Sequence, residues 1–201
     1  MAVVRLPSME TTRIDLAPQA AEVAGVVAGV RGDQLGNPTP MAGTPVAALL
    51  DHLVGLTLAF RLAAEKTPVP GGPSASAEHL SPEWRRLIPA QLDALVAAWQ
   101  RPSAWEGTAE AGGVTMPAPV AAAVALDEVL VHGWDLAVAT GQPYSADPAS
   151  VEACLGFAAQ VAAGPPQPGL FGPPVPVPDD APALDRLLGL TGRDPGWRPP
   201  S

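Results

Sequence analysis

Apolar positions recur every three or four residues along most of this chain, the spacing of helices with one buried side. Leu16, Ala20, Val23, Val27 and Val30 mark the first. It starts at Asp15, a good capping residue, with Pro18 tolerated in the opening turn, and runs toward Gln34. Gly36-Asn37-Pro38 ends it, because a proline disfavours helix at the residue before it. Thr44 as N-cap and Pro45 at the first helical position open a second helix. Its apolar side is Val46, Leu49, Leu50, Leu53, Leu56 and Phe60, continuing to about Ala64, and His52 lies at the edge of that face. A Pro/Gly/Ser loop over 67–80 follows. Ser81-Pro82-Glu83 then starts a third helix, carrying Trp84, Leu87, Ile88, Leu92, Leu95 and Trp99 and stopping near Arg101-Pro102.

Residues 104–116 hold Gly112-Gly113 between short mixed segments, which suits a small hairpin or an irregular loop. A fourth helix, from Pro117–Pro119 to about Thr140, is apolar on nearly every side and so belongs in the middle of a bundle. A fifth spans about 148–163. Eight of the nineteen residues over 164–182 are proline, too many for a helix or a central strand. They predict a tail that wraps or dangles, followed by a short helix over 183–190. The expected architecture is all-α: a four-helix bundle over 1–163, with a Pro-rich extension over 164–201 packed on or trailing the same domain.

Composition narrows the choice. The 201 residues suit one compact domain with a sizeable core. Aromatics are only 4%, so a core of Ala, Val and Leu favours close-packed helices over a strand-rich sandwich. Eleven Lys+Arg against twenty Asp+Glu leave a net charge of −9, which argues against nucleic acid or an anionic membrane surface as the main partner. The longest apolar stretches are broken by Asp51 and His52, or by Asp127 and Glu128, and Arg5, Glu10, Arg13 and Asp15 interrupt any leader core. The expected compartment is the cytoplasm, and the expected state a monomer or homodimer. A single cysteine, Cys154, excludes an internal disulfide and a multi-cysteine metal site, and its apolar surroundings read as core rather than reactive thiol.

The informative segment is Ala125-Leu-Asp-Glu-Val-Leu-Val-His-Gly-Trp-Asp135. Glu128 and His132 stand four apart and project from one helix face, and Asp135 leans toward the same side. Charges inside a bundle are paired or bind metal. Of the three histidines, His79 belongs to the loop and is expected to be exposed, which leaves His52 as the third partner. Two imidazoles and a carboxylate form a ligand set of catalytic zinc sites, with an open position for water or substrate; nickel, iron and manganese use it too. A hydrogen-bonded Glu–His pair in a buried polar network accounts for the same spacing without metal. Trp134 reads as packing and Asp127 as an exposed or capping-network acid.

Two separated segments carry a resemblance: Thr39-Pro40 through Leu49-Leu-Asp-His52, and Leu126-Asp-Glu-x3-His-Gly-Trp-Asp-Leu136. Together they resemble the DinB-like metal-binding helical bundles. The resemblance is closer to the actinobacterial branch related to the N-terminal domain of mycothiol-dependent maleylpyruvate isomerase, and it extends through Phe171-Gly-Pro-Pro and Leu184–Gly192. It implies a four-helix bundle holding a divalent metal near one end, with His52, Glu128 and His132 as ligands, zinc preferred and nickel the alternative. Relatives often carry a T-P-C-x-x-W-[ST] pattern before the second helix. Met41 and Thr44 stand in the Cys and Trp places here, so the aromatic packing and any thiol role are lost. The isomerase also has a second domain that 201 residues leave no room for, so the isomerase reaction itself is not expected.

The function expected on these grounds is a metal-dependent, thiol-cofactor-using transferase or isomerase acting on a small electrophile. Mycothiol as co-substrate is implied by the resemblance and by an Ala/Pro/Gly-rich composition. Asp135 would orient a ligand or act as a catalytic base. The alternatives are a non-catalytic bundle that binds a metal or small ligand, and a metal-free bundle in which the Glu–His pair is a relic. Histidine binds metal only when neutral, so retention should fall as pH drops through about 6.5.

Overall fold

The computed structural model describes residues 13–67, 75–164 and 170–199. Most of the lead-in read into residues 1–14, and the middle of the Pro/Gly/Ser loop, lie outside them.

Six helices form among the described residues: α1 (Ala17–Gly29), α2 (Val46–Ala64), α3 (Trp84–Trp99), α4 (Ala118–Thr140), α5 (Pro148–Ala163) and α6 (Ala183–Leu190). A hairpin of β1 (Thr108–Ala111) and β2 (Val114–Pro117) precedes α4, antiparallel, with Ala111 opposite Val114. Gly112 and Gly113 make its two-residue turn at φ 59° and 77°, values that favour glycine at both places. The irregular-loop alternative is thereby set aside.

Helices α1 to α4 form the bundle. α1 packs on α3 and α4, and α2 packs on the same two, so the helices run around the bundle in the order α1, α3, α2, α4. α5 then covers the outer side of α4, and α6 packs on α5. This is why α4 is apolar nearly all round: it has α1, α2 and α5 as neighbours, and Leu126, Leu130 and Leu136 are fully buried. α2 is long and apolar enough to cross a membrane by length and hydropathy alone. Its Leu49, Leu50, Leu53 and Leu56 are occupied in the bundle core.

Close approach between α1 and α4 depends on a glycine. A Cβ at Gly133 would collide with Val23 of α1 and sit 2.7 Å from the Tyr144 hydroxyl. That hydroxyl donates to the Leu130 carbonyl (2.6 Å) and accepts from Gln19 Nε2 (2.6 Å), bridging the two helices. Burial pushes the Tyr144 phenol well above its ordinary range, so it remains a donor at any physiological pH.

Several helix starts differ from the local reading. Thr44 is not the N-cap of α2. Pro45 occupies that place with ψ 164° and no side-chain cap, and the helix begins at Val46. The cause is the preceding turn: Pro38 bridges Pro45, the Thr44 N–H donates to the Met41 carbonyl at 3.0 Å, and Thr39 Oγ1 donates to the Thr44 carbonyl at 2.7 Å. Leu16, not Asp15, is the N-cap of α1, although the Asp15 carboxylate still accepts from the Ala17 N–H (2.9 Å). α1 also ends at Gly29, and Gly32–Gln34 is a separate 3-10 turn. Pro89 lies inside α3 and has no N–H to offer the Arg85 carbonyl.

The extension beyond α5 does not trail over its described part. Phe171 meets Phe157 of α5 edge to face at 6.1 Å. The Val175 N–H donates to the Gly189 carbonyl (2.9 Å), and Leu187 and Leu188 of α6 are buried in the core.

Candidate metal centre

The 3.6-residue period of α4 places Glu128 and His132 one turn apart on the face toward α2, and α2 supplies His52. His132 Nε2 lies 3.1 Å from Glu128 Oε2, and His52 Nε2 lies 3.6 Å from the same oxygen. The two rings meet edge to face with centroids 4.9 Å apart. One ligand atom from each of the three side chains falls within 4.8 Å of the others. Atoms bound to one tetrahedral zinc at about 2.0–2.1 Å lie about 3.4 Å from each other, so this spacing fits a shared divalent ion. The donor chemistry fits as well: two imidazole nitrogens and one carboxylate, with coordination left over. The site is sunk but not sealed, with the His52 and Glu128 side chains keeping 17% and 21% of their surface.

Electrostatics bind the cluster tightly even without an ion. Burial by itself would raise the Glu128 carboxyl, but His132 and His52 together outweigh it and hold that carboxyl below its usual range. Burial by itself would lower His132, but Asp135 and Glu128 outweigh it and push the imidazole up to about 9. In the metal-free protein, then, His132 carries a positive charge between two acids at neutral pH.

Asp135 is fully buried, one turn beyond His132. Its Oδ2 receives His132 Nδ1 at 3.0 Å and Arg193 Nη2 at 3.1 Å. Bonding Nδ1 to a carboxylate leaves Nε2 facing Glu128 and His52. His52 Nδ1, by contrast, is buried and meets no hydrogen-bond partner among the described residues.

Other sequence readings fall out plainly. His79 is exposed and is not part of the cluster, and Trp134 is buried in packing. Asp127 is neither exposed nor a capping acid: it is 3% exposed, because α5 covers the side of α4 that a bare four-helix bundle would leave in water. Burial first and the neighbouring Glu128 second push its carboxyl up to about 8, so it stays protonated at neutral pH. Cys154 is buried, and burial together with Asp127 raises its thiol far above the ordinary value. Native protein at pH 8 should therefore leave Cys154 unlabelled by a chromogenic disulfide reagent over an hour, with one equivalent reacting after unfolding. Prompt labelling of the folded chain would contradict this burial.

Sequence reasoning missed Arg193. The residue sits in a segment whose prolines and glycines read locally as a tail, and no periodicity there points at α4.

Fold and site define a DinB-like helical bundle with a three-residue, metal-competent cluster. This chain belongs to the mycothiol maleylpyruvate isomerase N-terminal domain family, whose model matches residues 16–137, a span that includes all three cluster residues. An uncharacterized protein of Mycobacterium tuberculosis is 33% identical to it over 185 residues, covering 85% of this chain and 91% of that protein. Such matches are uncharacterized protein MT0763 of strain CDC 1551 / Oshkosh and, at the same identity and coverage, uncharacterized protein Rv0738 of strain ATCC 25618 / H37Rv. No solved structure matches the chain at a significant level.

Proposed function

We propose that the protein is a divalent-metal-dependent transferase or isomerase that uses a small thiol of the mycothiol type on an electrophilic substrate. The observation that carries this reading is the convergence of His52, Glu128 and His132 within 4.8 Å, on a face that keeps some access to solvent. Family membership supports a thiol of this class.

His52 and His132 would donate the nitrogen lone pairs and Glu128 the negative charge, with zinc the preferred ion and nickel the alternative. A metal bound there supplies a Lewis acid that lowers the pKa of a thiol or water. The protein's own part is to present three ligands, leave a position open and exclude bulk water from most of the cluster. The reaction class is addition of a thiol to an electrophilic carbon. Sulfur bonds to that carbon and the thiol proton ends on the neighbouring atom of the substrate. Releasing the adduct is transfer, and expelling the same thiol after bond rotation is isomerisation.

The test is metal analysis of untagged protein, followed by a mycothiol-consumption assay over a panel of electrophiles for the parent and for His52→Ala. Near one metal per chain, and turnover lost in the variant, is the expected result. Turnover that survives His52→Ala would sink the metal role, and metal without turnover would reduce the protein to a metal binder.

Protons and metal compete for His132. Since its pKa is raised to about 9, the competition extends through neutral pH rather than ending near 6.5. Zinc affinity should therefore keep climbing from pH 6 to pH 8.5, by up to about tenfold per unit for one displaced proton. Chelator competition at fixed ionic strength measures it, and an affinity flat across that range would contradict histidine ligation.

A further inference from the structure

The three ligands lie within the span matched by the family model, which ends at residue 137, yet one of them is steadied from far outside it. α6 closes with a paired cap. The Gly192 N–H donates to the Gly189 carbonyl (3.2 Å) and the Arg193 N–H to the Leu188 carbonyl (2.8 Å). Such an ending needs a left-handed residue at its corner, and Gly192 supplies it at φ 84°. Space demands glycine there as well: a Cβ would stand 2.8 Å from the Gly172 backbone. The chain therefore leaves α6 in one direction, and the next side chain is Arg193.

Arg193 is aimed inward and is 12% exposed. Its Nη1 donates to the Thr191 carbonyl at 2.7 Å, which fixes one arm of the fork. Nη2 donates to Asp135 Oδ2 at 3.1 Å, the same oxygen that bonds His132 Nδ1 at 3.0 Å. Asp135 Oδ1 meets no partner among the described residues, so the whole orientation of this buried carboxylate depends on one shared oxygen.

We infer that Arg193 is a positioning residue of the metal centre, its guanidinium locking Asp135 so that His132 presents Nε2 to the position shared with Glu128 and His52. The inference rests on the metal reading above and extends it to the C-terminal segment. A carboxylate bonded only to an imidazole can swing with it, whereas one also gripped by a planar, anchored guanidinium cannot. Groups that orient a ligating histidine typically contribute about 10–100-fold in metal affinity. Lysine would keep the charge but not the two-armed geometry. If Arg193 served only to tie the extension to the bundle, its loss would lower the melting temperature and leave metal affinity alone, because all three ligands belong to α2 and α4.

The experiment uses the full chain, untagged and stripped of metal. Zinc affinity is read by competition with a chromophoric chelator, and ligand geometry by the visible spectrum of the cobalt(II) form. Parent protein, Arg193→Leu and Arg193→Lys are compared, with melting temperatures recorded in parallel. The expected result is one zinc per chain in the parent, affinity about 10–100-fold weaker with altered cobalt bands in Arg193→Leu, and an intermediate value in Arg193→Lys. Parental affinity and an unchanged cobalt spectrum in Arg193→Leu would overturn the inference while leaving the metal reading intact. A parent chain that binds no zinc would overturn both. Should Arg193→Leu fail to fold, Arg193→Lys decides alone, and affinity equal to the parent's would overturn the inference.

Discussion

His132→Ala should abolish stoichiometric metal binding. The substitution removes one of three ligands whose reactive atoms cluster within 4.8 Å, and the exposed His79 is not part of that group. The loss should exceed the roughly 100-fold that disturbing an outer-sphere partner can cause, because a bond to the ion itself is missing. Glu128 would also lose its closest partner, at 3.1 Å, and with it most of what holds its carboxyl ionised inside the protein. Zinc content after dialysis against a weak chelator, together with competition titration, measures the effect. His132→Gln controls for volume, and zinc retained by both variants would refute ligation by this residue.

Asp135→Ala should be strongly destabilising. The carboxylate is fully buried, and its removal leaves the Arg193 guanidinium, 12% exposed, without an anionic partner. Breaking a buried pair by deleting one member costs about 3–5 kcal/mol, and the little solvent at Arg193 places this case near 3 kcal/mol. For a chain of this size that corresponds to about 6–12 °C in Tm. Asp135→Asn, which keeps the volume and a hydrogen-bonding oxygen, should fall between variant and parent. Thermal unfolding of the metal-free proteins separates these values from any effect of metal. A change below about 1 kcal/mol for Asp135→Ala would mean that the guanidinium finds other partners.

The cluster was legible because two local rules act independently. The helical period puts Glu128 and His132 on one face whatever the fold, and a carboxylate amid Val, Leu and Ala demands a partner. With only three histidines in the chain, His52 at the margin of an apolar helix face was the natural third member. Asp127 shows the limit of the same reasoning. It adjoins Glu128 on the same helix and is buried only because α5 arrives to cover its side, a fact that no window around residue 127 contains. Thr44 shows a smaller one: as a residue type it is a sound cap, but its own backbone is taken up in the turn closed by the Pro38–Pro45 bridge.

Periodicity and composition by themselves determined that this protein is helical, that α4 is its central helix, and that a histidine and a glutamate share one face of it. Those properties follow from the spacing of neighbouring side chains along one segment, where period and polarity suffice. Tertiary structure alone decided that His52 comes within 3.6 Å of Glu128, that Asp127 is shut away from water, and that Arg193 reaches Asp135 across 58 positions of sequence. Each depends on which surface a later helix happens to cover, and that is settled by how the whole set of apolar faces packs together rather than by any stretch of residues taken alone.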